Sequence, residues 1–287
     1  MQLKHILFPF DFSTRCRRAV PFVAAMARRF DAKITLMSVA ELERPASVAP
    51  PVPVGASDVW KRLRDLENEL DNTLIPEFVN LRVERIADLG DAAQIITDFA
   101  HTYAVDLIMM PTHGRGPFRR MLLGSITAKV LHDAQCPVWT DAHRQELESS
   151  MLPEVSHPIL CAVDTDLRDV HVIDWAVAFA KELGAEVRLV HAIPAAVGAQ
   201  AMADQSYHEH LFKAAHDDMS RLQREAGVSL ETTFRGGNPE EAVYDVALQA
   251  KADLVVIGRG DLQQPFGRLR SRAYAIIRES PCPVISV

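Results

Sequence analysis

The segment PTHGRGPFRRMLLGSIT, residues 111–127, gathers the residue types that hold an anion. Gly114 is followed by nine residues and then by Gly124-Ser125. Glycines permit positive φ and a close approach of backbone to ligand. Gly124, Ser125 and Ile126 open a helical pattern, so their N–H groups and the helix dipole are expected to face the crevice beyond the preceding strand. Ser125 adds a hydroxyl, and His113, Arg115, Arg119 and Arg120 add positive charge. The chemistry implied is phosphate binding without a Walker lysine, since the chain has neither a Walker A pattern nor a GxGxxG after a strand. The same residues also fit a solvated basic turn with a serine cap, and spacing alone does not separate the two readings. Asp11, in PFDFS, poses a similar pair. Its carboxylate suits a ribose or an adenine amino group, and it equally suits a cap for the next helix.

A changed copy of the loop stands at residues 258–274, GRGDLQQPFGRLRSRAY. Gly258 keeps a glycine, but Arg270-Ser271 replaces Gly124-Ser125. Arginine puts a bulky side chain where a phosphate needs bare backbone, and Asp261 would repel the phosphate. Arg259, Arg268, Arg270 and Arg272 fit a solvated or interface surface better than a nucleotide cradle. Nucleotide is therefore expected in the first copy and not in the second.

The elements that must position these loops also come twice. KHILFPFDFS (4–13) matches HPILCAVDTD (157–166), which pairs Asp11 with Asp164. AMARRFDAKITLMSV (25–39) matches AFAKELGAEVRLVHA (178–192), and GDAAQIITDFA (90–100) matches GNPEEAVYDVA (237–247). AVDLIMMP (104–111) matches KADLVVIG (251–258), and DAQCPVWT (133–140) matches ESPCPVIS (279–286). Each half reads as strand, helix, strand, helix, strand, helix, strand, loop, helix, strand. In the first half the strands are expected at 5–10, 33–39, 81–88, 106–110 and 136–140. The helices are expected near 14–30, 57–78, 91–103 and 124–134. DLIMM and DLVVI are apolar throughout, as parallel strands buried on both faces are. The expected fold class is α/β: two tandem doubly wound domains, each a five-stranded mostly parallel sheet with helices on both faces. The domains are placed at 1–141 and 157–287, with a polar linker at 142–156. Residues 43–57, rich in proline, read as a long surface loop. In such folds ligands sit outside the carboxyl ends of the strands, where strand order reverses.

The bulk numbers narrow the partners. The chain has 287 residues, 48% hydrophobic and 24% charged, with a net charge of -7. The acidic balance argues against a general nucleic-acid binder. No stretch approaches the roughly 18 apolar residues that span a bilayer. MQLKHILFPFDFS lacks the order of a signal peptide, so a cytoplasmic protein is expected. Cys16, Cys136, Cys161 and Cys282 form no CxxC pair and are expected to be reduced thiols, mostly buried. His208 and His210 lie two apart on a helical stretch, hence on different faces, and no metal site is expected. No GxSxG elbow appears, and no catalytic group is marked.

Taken together, Gly-x9-Gly-Ser after strand four, PFDFS after strand one and CPV at strand five resemble the universal stress protein family. The chain is similar to a tandem member with two fused domains, over nearly all of 1–141 and 155–287. The resemblance implies an adenine-nucleotide α-hydrolase-like fold, ATP as ligand and a stress-response regulatory or sensor role. Carried over by position, Pro9, Phe10, Asp11 and Val39 line the adenine. Met110, His113 and Gly114 flank ribose and phosphates, and Gly124, Ser125 and Ile126 bind phosphate. It also implies that the two halves pair through their closing strands, with further homodimerisation and a protein partner open. Pro111 departs from the pattern, which has glycine there. Either an N–H contact is lost or the loop takes another path. The alternatives to the sensor are a nucleotide-free scaffold and a slow nucleotide hydrolase.

Overall fold

The computed structural model describes residues 1–41, 56–112, 123–142, 156–193, 205–259 and 268–287. It divides into two compact units, Gln2–Trp139 and Thr140–Val287. The first contains β1 (His5–Pro9), α1 (Thr14–Phe30), β2 (Lys33–Ala40), α2 (Ala56–Asp71), β3 (Val83–Leu89), α3 (Ala92–Thr102), β4 (Leu107–Met110) and α4 (Ser125–Asp133), and runs into β5 (Val138–Thr140). Its strand order is β3-β2-β1-β4-β5. β1 pairs in parallel with β2 and with β4, and β2 with β3. Every residue of β1 and β4 is buried. Successive side chains of a strand point to opposite faces, so both faces of the sheet centre are covered. The order reverses between β1 and β4, and a crevice opens beyond their carboxyl ends.

The second unit repeats this plan. After β6 (Ile159–Ala162) come a short 3-10 turn, Leu167–Asp169, then α5 (Val170–Leu183), β7 (Val187–Ile193), α6 (Gln205–Glu225), β8 (Thr232–Gly236), α7 (Pro239–Ala250), β9 (Leu254–Ile257), α8 (Arg268–Glu279) and β10 (Val284–Ser286). The order β8-β7-β6-β9-β10 is that of the first unit. The doubly wound α/β class expected from the sequence is the class observed. Two turns recur as well. Phe12 and Thr165, each following its strand-one aspartate, both have left-handed backbones, with φ of 61° and 68°.

At the amino ends of the strands, one carboxylate in each unit fastens strand one to strand four. Asp106 Oδ2 accepts from the N–H groups of Lys4 (2.7 Å) and His5 (2.9 Å). Asp253 Oδ2 accepts from those of Ser156 and His157, each at 2.9 Å. The first unit adds a buried polar chain here. His5 Nε2 lies 2.8 Å from Thr35 Oγ1, His5 Nδ1 lies 3.3 Å from the Tyr103 carbonyl, and Thr35 Oγ1 lies 3.4 Å from Glu84. Burial, helped by the Lys33 charge, lowers the His5 pKa below its ordinary 6.5, although Asp106 and Glu84 pull the other way. A lowered folded pKa means the unfolded chain takes up the proton first, so His5 stabilises the fold while neutral and loses that contribution as the pH falls below about 6.5. His5→Gln removes this titration. In urea unfolding, the stability advantage of the wild type over His5→Gln is expected to shrink from pH 7.5 to pH 5.5. An advantage that grows on acidification would contradict this.

Some boundaries differ from expectation. α2 ends at Asp71 rather than near 78, and turns fill the way to β3. Asn72 Nδ2 and Thr73 Oγ1 bond back to the carbonyls of Asn68 and Glu69, Leu74 turns left-handed (φ 57°), and Pro76 disfavours a helical residue before it. Of the loop expected at 43–57, Ala56 and Ser57 belong to α2, and 43–55 lie outside the described residues. Cys16, Cys161 and Cys282 are buried, Cys136 is half-buried, and none of the four is in a disulfide. Burial raises the Cys282 thiol to about 12 and the other two buried thiols further. No helix among the described residues is long and apolar enough to cross a membrane.

Candidate functional site

Beyond the carboxyl ends of β4, β1 and β2 lies a cavity of about 660 Å³. That is within the roughly 300–1,000 Å³ of sites that hold small molecules. β1 and its turn bring Pro9, Phe10, Asp11 and Phe12 to it. β2 brings Met37 to Ala40, α3 brings Ala92 and Ile96, and the β4 end brings Met110 and Pro111. The start of α4 brings Leu123 to Thr127. Eight residues singled out in the sequence therefore share one cavity: Pro9, Phe10, Asp11, Val39, Met110, Gly124, Ser125 and Ile126. His113 and Gly114 lie outside the described residues.

Asp11 and Ser13 divide the work of starting α1. Ser13 is the N-cap and accepts from Cys16 N–H at 3.2 Å, while Asp11 Oδ1 accepts from Ser13 N–H at 2.9 Å. Asp11 thus folds the turn that aims it at the cavity, and helix capping falls to the serine. Phe10 is buried beneath it, edge-on to Phe12 with ring centres 5.1 Å apart, and the Arg17 guanidinium sits 5.6 Å from the Phe10 ring.

The phosphate-loop residues are tied to one another at both ends of the segment. Gly124 N–H donates to the Thr112 carbonyl at 2.9 Å, and Thr127 Oγ1 donates to the Pro111 carbonyl at 3.1 Å. Thr112 and Thr127 are buried. Pro111 is thereby built into the anchor of the loop. Two sequence readings of Gly124 are corrected. Its φ is -57°, a value open to any residue, so glycine is not there for a left-handed turn. Its N–H belongs to Thr112, so the donors left for a ligand are those of Ser125, Ile126 and Thr127. These belong to the first turn, where N–H groups have no intrahelical acceptor. No described side chain caps α4. Helix α4 is braced from outside by Lys129, which meets Asp91 at 2.8 Å and lowers that carboxyl below its ordinary range.

The second unit has a cavity of only about 80 Å³ at the equivalent place. Among the lining positions that correspond by repeat are Asp11 with Asp164, Cys16 with Asp169, Met37 with Val190, Val39 with Ala192, Ile96 with Val243, Met110 with Ile257, and Ile126 with Arg272. The chemistry differs at two places. Asp169 stands where Cys16 does, and its Oδ2 accepts from Asp164 N–H at 2.6 Å. Burial raises the Asp169 carboxyl above its ordinary value. Arg272 stands where Ile126 does, 3.8 Å from the Asp164 carboxylate across the cavity. Arg270 is the third residue of α8, whereas its counterpart Gly124 precedes α4. Gly258 is closely packed as well, since a Cβ there would lie 3.1 Å from Val172.

Comparison with known proteins agrees with this doubled plan. The model of the universal stress protein family matches residues 2–140 and again 156–287. The chain belongs to the universal stress protein family. It carries the family unit twice in tandem. Universal stress protein MJ0577 of Methanocaldococcus jannaschii is 29% identical over 149 residues, covering 47% of this chain and 92% of its own. MJ0531 of the same organism is 29% identical over 143 residues, 47% of this chain and 79% of its own. Among solved structures, a universal stress protein from Archaeoglobus fulgidus superposes over 100% of this chain and 98% of its own, with a TM-score of 0.70 at 17% identity. That likeness shows the fold across both units.

Residues the sequence reading missed include Phe12, Cys16, Met37, Ala92, Ile96, Leu123 and Thr127, and a whole wall from α2. The repeat carries a signal for Cys16, Met37 and Ile96, because each has a counterpart lining the smaller cavity. Nothing in the sequence marks the α2 wall.

Proposed function

We propose that the first unit of this universal stress protein binds an adenine nucleotide, ATP foremost, and that occupancy of this site is what the protein senses or transmits in a stress response. One observation carries the reading: a single ligand-sized cavity holds Asp11 at the end of β1 together with the N–H groups that open α4, which have no acceptor among the described residues. In this reading Pro9, Phe10, Asp11 and Val39 meet the base, and Met110, His113 and Gly114 flank the ribose. Ser125 and Ile126 hold phosphate, over the bare Cα of Gly124. The second unit, with its small cavity crossed by Arg272 and Asp164, takes no nucleotide and serves as structure or as a surface for a protein partner. The protein acts by binding, and any ATP hydrolysis is slow.

Isothermal titration with ATP tests this, with mass spectrometry of the denatured, freshly purified protein as a companion. The expected result is one site per chain and a co-purified adenine nucleotide. Two sites per chain would overturn the division of labour, and no binding would leave the scaffold reading. Sedimentation velocity with and without ATP reports the self-association that the family resemblance implies.

A further inference from the structure

Helix α4 carries the phosphate donors of the reading above, and one of its side chains ties it to another wall of the cavity. Lys129 stands one turn after Ser125, and both are exposed on one face of α4. Lys129 Nζ meets Asp91 Oδ2 at 2.8 Å. The other oxygen of that carboxylate, Oδ1, accepts from Gln94 N–H at 3.0 Å and so caps α3. Asp91 is itself held in place. Gly90 before it donates its N–H to the Ala40 carbonyl at 3.0 Å, and Ala40 and Ala92 both line the large cavity. Lys129 therefore fastens the second turn of α4 to a post that is already part of the cavity wall.

The second unit has neither partner. By the repeat, Asn238 stands where Asp91 does and Ala275 where Lys129 does. The post keeps its backbone bond, since Gly237 N–H donates to the Ile193 carbonyl at 3.0 Å. Asn238 makes no side-chain cap bond to α7 among the described residues. Helix α8 begins at Arg268, three residues before the position equivalent to Ser125, where α4 begins. The ion pair thus accompanies the helix start that opens on a ligand-sized cavity, and it is missing where the helix runs through that place. An exposed ion pair adds little to stability, because water screens it and two long side chains must be kept in one geometry. It does fix a distance, and donors held in place beforehand bind an anion with less ordering cost. We propose that Asp91 and Lys129 are positioning residues for phosphate in the first unit: the pair holds the opening turn of α4 against α3, so that the Ser125 and Ile126 N–H groups are aligned before a nucleotide arrives. This rests on the nucleotide reading above. If Lys129 acted only as a positive charge drawing phosphate from a distance, loss of Asp91 would have the opposite effect, and that difference sets the test.

ATP is titrated by calorimetry into the wild type, Asp91→Asn, Lys129→Met, the double variant and Lys129→Arg. Asparagine caps a helix about as well as aspartate, so Asp91→Asn removes the ion pair and keeps the start of α3. Methionine is as good a helix former as lysine. Both positions are exposed, and thermal melts of the ligand-free variants check the fold. Asp91→Asn and Lys129→Met should each bind ATP about threefold more weakly, the size of one exposed ion pair. The double variant should bind no more weakly than either single variant, and Lys129→Arg should keep most of the wild-type affinity. An Asp91→Asn variant that binds ATP as tightly as the wild type, or more tightly, overturns the proposal, because Lys129 would then act through its charge alone. Losses that add in the double variant overturn it too, since the two residues would be acting separately. So does a loss of affinity that comes with a matching fall in melting temperature, which marks support of the fold rather than of the donors. These failures leave nucleotide binding standing. A wild type that binds no ATP overturns the nucleotide reading itself, and this one with it.

Discussion

Gly124→Arg is expected to weaken ATP binding by about 100-fold or more while leaving the protein folded. The backbone at Gly124 has φ -57° and ψ 142°, which arginine adopts without strain. What changes is the space. Gly124 lines the cavity at the helix start, immediately before the N–H groups of Ser125 and Ile126, which have no acceptor among the described residues. A long side chain there keeps a phosphate from reaching them. Each charge-assisted hydrogen bond lost is worth roughly 1.5–3 kcal/mol, so two amount to at least 100-fold. Arginine is also the residue the second unit carries at this place, which makes the substitution a transplant of one half's chemistry into the other. Titration calorimetry with ATP reads the outcome, with Gly124→Ala as a control expected to lose far less. If the arginine variant bound ATP as well as the wild type, its charge would have replaced the backbone donors, and the bare Cα would not be what matters. The second unit would then regain its claim to a nucleotide.

The largest expected effect on stability comes from the middle of the same sheet. Phe8 is fully buried on β1, the strand paired on both sides, with its ring 5.7 Å from that of Phe10. Phe8→Ala removes a ring that neighbours cannot fill by rearranging, because β1 is held in register with β2 and β4. A buried Phe→Ala change costs about 3–5 kcal/mol. Domains of this size have about 5–15 kcal/mol in all, so the first unit would keep little of its stability. With an m value of about 2 kcal/mol/M, the urea midpoint of that unit should fall by about 2 M. A shift under about 0.5 M would mean that β1 is less central than its burial says. Phe8 also precedes Pro9, Phe10 and Asp11, so ATP should protect the wild type against urea more than it protects this variant.

The alternation of strands and helices was legible because a strand buried on both faces is a continuous apolar run and the helices between carry their own caps. Asp91 shows this at a glance: it follows Gly90, and in the structure its carboxylate caps α3 through Gln94 N–H at 3.0 Å. The ends of elements were less legible where competing local bonds decide them, as at Asn72 and Thr73 after α2. At the site, Asp11 and the Gly124-Ser125-Ile126 step were legible as a motif, but the reason for the glycine was not. That reason is the space that a bare Cα leaves beside the cavity, and the cavity forms only once the strands and α4 are in place. The α2 wall was invisible because it exists only once the helix is seated. Arg62 and Glu69 are ordinary surface charges in the sequence, and tertiary packing places them at the rim of the cavity. In the sequence, Arg270 argued only against a nucleotide in the second unit. The residues seen to line its small cavity, Asp169 and Arg272, were partly hidden, since the worth of a charge depends on what faces it.

Asp106 and Asp253 do the same stapling in the two units, at the end of the strands away from both cavities. The two units share this staple, and their cavity ends differ. Rebuilding the loops that follow β6 and β9 therefore leaves the second unit's staple untouched, just as the large cavity of the first unit coexists with its own. Each unit is a chassis with an exchangeable face. The second half of this chain is thus a natural host for grafted binding loops, with the first half supplying the worked example on the same frame.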